Sequence, residues 1–104
     1  MTAQSLEAYR GMNYEIAEAI APTWESRRAD IEQMSAPVRE WMIRALRPQD
    51  GETVLELAAG TGDTGFEAAA SIGERGLLYS TDFSPAMLEA ARRRGAELGV
   101  ENVD

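Results

Sequence analysis

Six consecutive residues constrain this chain more than any others. Gly60-Thr61-Gly62-Asp63-Thr64-Gly65 follows the pattern G-x-G-x-x-G. It lies directly after a short, β-branched, mostly apolar run, Thr53-Val54-Leu55-Glu56-Leu57, which reads as a strand. A glycine-rich turn here lets the backbone bend sharply and brings N–H groups close to a ligand without a Cβ in the way. A second apolar run, Leu77-Leu78-Tyr79-Ser80-Thr81, ends at Asp82, 22 residues after Gly60. Strand, glycine turn, helix and then an acid at the next strand end is the setting in which the pattern signifies an adenosine-containing ligand. The acid accepts hydrogen bonds from the ribose hydroxyls.

The elements around this turn are legible too. Asp50-Gly51 is a turn signal. Thr64 and Glu67 have capping-box spacing, which predicts a helix to about Ile72, ended by Gly73 and Gly76. Ser84 is an N-cap with Pro85 as first helical residue, Met87, Leu88 and Ala91 turned inward, and Gly99 as C-cap. Val100–Asp104 leads into a third strand. The order βαβα(β) predicts an α/β fold with a parallel sheet and right-handed crossovers.

Residues 1–48 read as a helical segment placed before this sheet, and 49–104 as the ligand-binding part. Leu6, Tyr9, Met12, Ile16 and Ile20 recur at helical spacing until Pro22. Thr23 caps a second helix carrying Trp24, Ile31 and Met34. Ser35 and Pro37 restart the chain, and Val38, Trp41, Met42, Ala45 and Leu46 form the clearest amphipathic stripe, ended by Arg47-Pro48. About three helices are therefore expected, with both tryptophans as core anchors. Arg92-Arg93-Arg94 is expected to be a solvated helix face.

Composition removes several chemistries. The chain has 104 residues, no His and no Cys, and all 10 of its basic residues are Arg. Disulfides, thiolate nucleophiles, Cys/His zinc sites, imidazole bases and Schiff-base lysines are excluded. A net charge of −8 argues against nucleic acid as a partner. Six of those units fall in residues 51–104, which also hold eight of the nine glycines. No apolar run approaches the ~20 residues that span a bilayer, and no basic-then-apolar leader is present. A cytoplasmic protein without a membrane span is expected.

Glu56 selects among adenosine ligands. It stands inside the first strand, four residues before Gly60. A carboxylate there repels a pyrophosphate and favours a cation. S-adenosylmethionine is cationic and carries no phosphate, so a nicotinamide dinucleotide is the weaker alternative.

Val54-Leu-Glu-Leu-Ala-Ala-Gly-Thr-Gly62 resembles the first motif of class I S-adenosylmethionine-dependent methyltransferases, and Thr81-Asp-Phe-Ser-Pro-Ala-Met-Leu88 is similar to their second. The flavour is that of small-molecule enzymes related to ubiquinone and menaquinone biosynthesis. The resemblance covers about residues 50–104. It implies the N-terminal portion of a Rossmann-like methyltransferase sheet with S-adenosylmethionine as cofactor and a small-molecule methyl acceptor. It further implies Glu56 near the methionine ammonium, Ala58, Gly60 and Gly62 along the methionine part, Asp82 on the ribose diol, and Phe83 and Met87 beside adenine. Both Phe83 and Met87 also suit a plain core. Ala58 departs from the family pattern, which has glycine there.

The family sheet extends beyond three strands, and the acid that reads the adenine amino group follows its third. The chain is thus expected to supply the cofactor-binding half, with no catalytic residue and no metal ligand of its own. An unpaired edge at the first strand favours pairing with another chain or self-association, so a non-catalytic interaction module is the alternative.

Overall fold

In the computed structural model, which describes residues 2–104, two long helices precede a small parallel sheet with two further helices. The elements are α1 (Ala3–Ser26), α2 (Arg28–Leu46), β1 (Thr53–Glu56), α3 (Asp63–Ile72), β2 (Leu77–Ser80) and α4 (Pro85–Leu98). β1 and β2 pair in parallel, Thr53 against Leu77 through Glu56 against Ser80. The third segment joins the far edge of β2. Leu78 N–H donates to Asn102 O, Asp104 N–H to Leu78 O, and Ser80 N–H to Asp104 O, at 2.8–2.9 Å. The expected parallel βαβα(β) order is therefore present, with β2 between β1 and the terminal segment.

α3 and α4 cover the same face of the sheet. Phe66 and Ala69 of α3, Ala91 of α4 and Leu78 of β2 form the core, and Val54, Val100 and Val103 pack on it. Ile72 and Leu78 are fully buried, and each side chain so buried contributes ~2 kcal/mol from its apolar area. Asn102 Nδ2 ties the third segment to the end of α3 by donating to Ala69 O and Gly73 O at 2.9 and 2.8 Å. The opposite sheet face is open among the described residues, with Leu55, Leu57 and Tyr79 exposed.

The N-terminal half has two helices, where the sequence reading gives about three. Pro22 lies inside α1 and Pro37 inside α2. A proline in a helix removes one backbone hydrogen bond and strains the preceding turn, at about 3 kcal/mol. Tertiary ties on both sides of each proline override that penalty. Glu18 and Glu25 of α1 both bind α4, on either side of Pro22. Arg28 and Arg39 of α2 both bind α3, on either side of Pro37. The helices part only at Arg27 (φ −102, ψ 20).

The docking faces differ from the apolar stripes as well. Leu6, Tyr9, Met12, Ile16, Val38, Trp41 and Met42 are all exposed. α1 instead turns Ala17, Glu18, Ala21 and Glu25 inward, and α2 turns Arg28, Ile31, Glu32, Ser35 and Arg39. These faces are small and charged because what they meet is the polar rim of the glycine turn and the start of α4. The capping box at Thr64 does not form either. α3 begins two residues earlier, with Gly62 as a left-handed N-cap in place of Thr64, and Glu67 is engaged by Arg39. At α4 the expected signals hold: Ser84 Oγ accepts the Met87 N–H, Pro85 opens the helix, and Gly99 closes it at φ 67.

Candidate functional site

The strand ends and the N-terminal helices enclose a cleft of about 690 Å³. Its floor is the β1–α3 turn, one side is the β2–α4 turn, and the other is α2 with the end of α1. The volume is that of a pocket for a small cofactor.

Three left-handed residues shape the floor: Ala58 (φ 55), Gly60 (φ 58) and Gly62 (φ 92). Alanine at such an angle costs roughly 1–2 kcal/mol, which two backbone bonds of the adjoining turn offset. Ala59 N–H donates to Thr81 O at 2.9 Å, and Gly62 N–H to Ala59 O at 3.0 Å. A Cβ on Gly60 would meet nothing within 4 Å, so that face of the turn is open to the cleft.

Asp82 fixes the two turns to each other. Its Oδ2 accepts the Gly60 N–H at 2.8 Å and its Oδ1 the Ser84 N–H at 2.9 Å. Each carboxylate oxygen keeps a lone pair for a further donor, and Asp82 lines the cleft. Ser84 is fully buried, and its hydroxyl donates to Glu18 Oε1 at 2.5 Å, while Ala86 N–H donates to the same oxygen at 2.9 Å. Those two bonds hold the Glu18 carboxyl below the usual range. α1 thus caps α4 from outside and fixes the turn that carries Asp82 and Phe83.

The seven residues singled out from the sequence do not all meet in the cleft. Ala58, Gly60, Asp82, Phe83 and Met87 line it. Phe83 is exposed and meets Tyr14 in a T-shaped pair, with ring centroids 6.1 Å apart, whereas Met87 is buried. Gly62 lies behind the floor, where a Cβ would fall 2.7 Å from the Phe66 ring. Glu56 points under α3, toward Ser80 Oγ at 3.4 Å and the Gly65 backbone. Burial pushes its carboxyl up to about 7, against the hydrogen bonds from Ser80 and Gly65, with Asp63 and Asp82 adding to the rise. It borders a second cavity, between α2 and β1, where Trp41, Met42 and Leu55 also lie.

Charge in the cleft is one-sided. Glu32, Asp63 and Asp82 line it against a single guanidinium, Arg39. Asp63 is held by Arg28 and Arg94, each at 3.4 Å. Burial and the neighbouring Asp63 raise the Glu32 carboxyl. Arg94 also reaches Glu32 at 3.8 Å, so two of the three carboxylates are balanced by guanidiniums and Asp82 is the one without such a partner among the described residues.

A family model described as the ubiE/COQ5 methyltransferase family matches residues 9–104. The chain belongs to the ubiE/COQ5 methyltransferase family. Among curated relatives, aklanonic acid methyltransferase DauC of Streptomyces is 33% identical over 67 residues, 64% of this chain and 30% of that protein. Demethylmenaquinone methyltransferase of Listeria monocytogenes is 28% identical over 92 residues, 88% of this chain and 39% of that protein. A crystal structure of a SAM dependent methyltransferase from Aquifex aeolicus superposes with a TM-score of 0.58 at 27% identity, over 64% of this chain and 35% of that one. The chain spans about a third of the length of these relatives.

Within this ubiE/COQ5 chain the sequence reading misses the charged residues that join the N-terminal helices to the site. Arg28, Glu32, Ser35 and Arg39 recur at four- and three-residue steps along α2. That is helical periodicity in polar residues, a signal that a search for apolar stripes passes over. No helix among the described residues is long and apolar enough to cross a membrane. No cluster of three or more potential metal ligands occurs among them.

Proposed function

We propose that this chain supplies the S-adenosylmethionine-binding part of a methyltransferase that acts on a small-molecule acceptor. The observation that carries the reading is the Asp82 carboxylate, held between Gly60 N–H and Ser84 N–H at the edge of the cleft. Asp82 would hold the ribose diol there, with Phe83 and Met87 on either side of the adenine. The left-handed backbone at Ala58 and Gly60 would run along the methionine part. Gly62 and Glu56 act from behind the floor: Gly62 lets the turn close on Phe66. Glu56, raised to about 7 by burial, adds negative potential toward the ligand's ammonium where it is ionised, above that pH.

When bound, the cofactor supplies a methyl group already activated by its sulfonium. The residues of this chain bind and orient it and exclude water. That division of labour agrees with a chain that has no His, Cys or Lys. No catalytic residue is assigned to it. The acceptor is a small molecule, like the aklanonic acid and demethylmenaquinone for which two of the relatives are named, and the location is cytoplasmic.

Calorimetric titration of the protein with S-adenosylhomocysteine and, separately, with reduced nicotinamide dinucleotide tests the reading. Binding of the first and not the second is expected. No heat with S-adenosylhomocysteine at millimolar concentration sinks it.

A second reading rests on the sheet. β1 pairs only with β2 among the described residues, and Leu55 and Leu57 beside its free edge are 63% and 74% exposed. Such an edge takes another strand, from a partner or a second copy. Light scattering across a concentration series distinguishes the two, since a monomer at every concentration excludes the second copy.

A further inference from the structure

One face of α1 meets the turn before α4 and α4 itself. Tyr14, Glu18, Ala21 and Glu25 recur at helical spacing, which places them along one side of α1. Tyr14 pairs with Phe83, Glu18 holds Ser84 and Ala86, and Glu25 holds Arg93. Ala21, between the two acids in sequence, is buried. Glu18 differs from the other contacts because its partner Ser84 is fully buried. The Ser84 hydroxyl has one proton to give, and it goes to Glu18 Oε1 at 2.5 Å, while its oxygen accepts the Met87 N–H at 3.2 Å. The Ser84 N–H goes to Asp82 Oδ1 at 2.9 Å. Both donors of one buried residue therefore end on carboxylates, Glu18 of α1 and Asp82 of the cleft. Ala86 N–H holds the same Glu18 oxygen at 2.9 Å. Asp82 lines the cleft and Glu18 does not, so any effect of Glu18 on a ligand passes through Ser84.

We propose that Glu18 is a positioning residue for the ligand's ribose: from α1 it holds Ser84, and through Ser84 it keeps the Asp82 carboxylate where the two hydroxyls can reach it. The proposal rests on the S-adenosylmethionine reading above and deepens it. β2 ends at Ser80 and α4 begins at Pro85, so the short turn between them carries both Asp82 and Phe83. With Glu18 in place, the last residue of that turn is fixed at its hydroxyl and its N–H. Without Glu18 the buried hydroxyl and the Ala86 N–H both lose their acceptor, and Asp82 spends part of its time away from the diol geometry. A diol then binds more weakly in proportion to the fraction of time the carboxylate is in place. Linkage makes the effect mutual: a diol on Asp82 favours the docked α1 by the same factor that the docked α1 favours the diol.

The test uses S-adenosylhomocysteine and its 2′,3′-dideoxy analogue, which differ only in the diol. In calorimetry the unsubstituted protein is expected to bind the diol form about a hundredfold more tightly, since the analogue lacks two hydrogen bonds to a charged group. Glu18→Ala should cut that preference to about tenfold or less and leave affinity for the dideoxy analogue within about twofold. Glu18→Gln keeps an acceptor oxygen for both donors and should fall between. Glu25→Ala cuts the Arg93 tie on the same face of α1 and does not touch Ser84, so it should keep the full preference. A loosened α1 with no positioning role weakens both ligands equally. A Glu18→Ala protein with unchanged preference therefore overturns the proposal, as does a Glu25→Ala protein that loses as much of it. A second measurement needs no variant to fold. Hydrogen exchange of the unsubstituted protein, saturated with either ligand, should show the α1 amides around Glu18 slowed severalfold more by the diol form, and equal protection by the two overturns the proposal. In these cases the cofactor reading survives, because S-adenosylhomocysteine still binds. Equal affinity of the unsubstituted protein for the two ligands takes the ribose role from Asp82 and overturns the proposal with it. Binding of neither ligand overturns the cofactor reading and the proposal together.

Discussion

Asp82 accepts the Gly60 N–H at 2.8 Å, so a side chain at the end of β2 sets the shape of the turn after β1. With its second oxygen on Ser84 N–H, one carboxylate fixes both walls of the cleft's closed end. Asp82→Ala strands two backbone donors that it now satisfies. A hydrogen bond to a charged group contributes about 1.5–3 kcal/mol, so a loss of roughly 2–3 kcal/mol in unfolding free energy is expected. Affinity for S-adenosylhomocysteine should fall about a hundredfold or more, through the lost ribose contact. Asp82→Asn keeps one acceptor oxygen, so its stability loss should be about half while its affinity loss stays large. Urea unfolding and calorimetry on the same two variants separate the effects. An Asp82→Ala protein that binds normally removes the residue from the site.

How far such contacts can be read from the chain differs between its halves. From Thr53 onward most local signals and tertiary structure agree, the capping box at Thr64 and the direction of Glu56 being the exceptions. The apolar runs pair, Ser84, Pro85 and Gly99 bound α4 as their chemistry directs, and Gly60 and Asp82 are in contact across 22 residues. In residues 1–48 they conflict. Pro22 and Pro37 read as breaks because the cost of a proline inside a helix is local and the ties that outweigh it are remote. Glu18 carries no local signal of a partner, and only the fold brings it to Ser84. The inward turn of Glu56 under α3 is also a tertiary fact, set by the absence of a Cβ on Gly65, whose place its carboxylate takes. The strand pattern alone put that carboxylate beside the glycines and gave no sign of its direction.

The buried position of Glu56 makes a pH-dependent prediction. Its carboxyl is raised from 4.5 to about 7 by burial. A group whose folded value lies above its unfolded value stabilises the fold while protonated in both states. That stabilisation is lost as the pH rises from about 4.5 through about 7. Glu56→Gln, which is neutral throughout, should therefore melt at a higher temperature than the unsubstituted protein at pH 8. The difference should shrink as the pH is lowered through 7 and largely vanish at pH 5. Melting curves by circular dichroism at the three pH values check it. A difference that does not vary with pH places the carboxylate in water.

Gly60 and Gly62 should separate ligand binding from folding. Both have positive φ, at 58 and 92. At Gly60 a Cβ meets nothing within 4 Å, so Gly60→Ala bears only the left-handed backbone cost, about 1–2 kcal/mol. Its methyl group would project from the cleft floor, and S-adenosylhomocysteine affinity should drop by more than the stability does. At Gly62 a Cβ falls 2.7 Å from the Phe66 ring and 3.2 Å from Ala91. Gly62→Ala adds overpacking of about 1–3 kcal/mol to the same backbone cost. It should unfold at markedly lower urea, and Phe66→Leu in the same chain should restore part of the loss. Equal stability of the two alanine variants contradicts the assignment of Gly62 to the core side of the turn.

Asp63 gives the sharpest test of how the N-terminal helices are held. It is 15% exposed and lies 3.4 Å from both Arg28 of α2 and Arg94 of α4. Arg28 is itself 12% exposed. Removing the anion leaves two guanidiniums facing each other at the start of α3 with little water to screen them. Breaking a buried ion pair from one side costs about 3–5 kcal/mol, and partial exposure of Arg94 lowers the expectation here to about 2–3 kcal/mol. Arg28→Ala costs less, because Arg94 still neutralises Asp63. The double variant Asp63→Ala, Arg28→Ala should be more stable than Asp63→Ala alone, since one unpaired cation has gone. Hydrogen exchange locates the effect: faster exchange in α2 than in α3 is expected, because α2 loses its anchor while α3 keeps the sheet. A double variant no more stable than Asp63→Ala shows that the two charges do not interact, and α2 is then held by the Arg39–Glu67 pair instead.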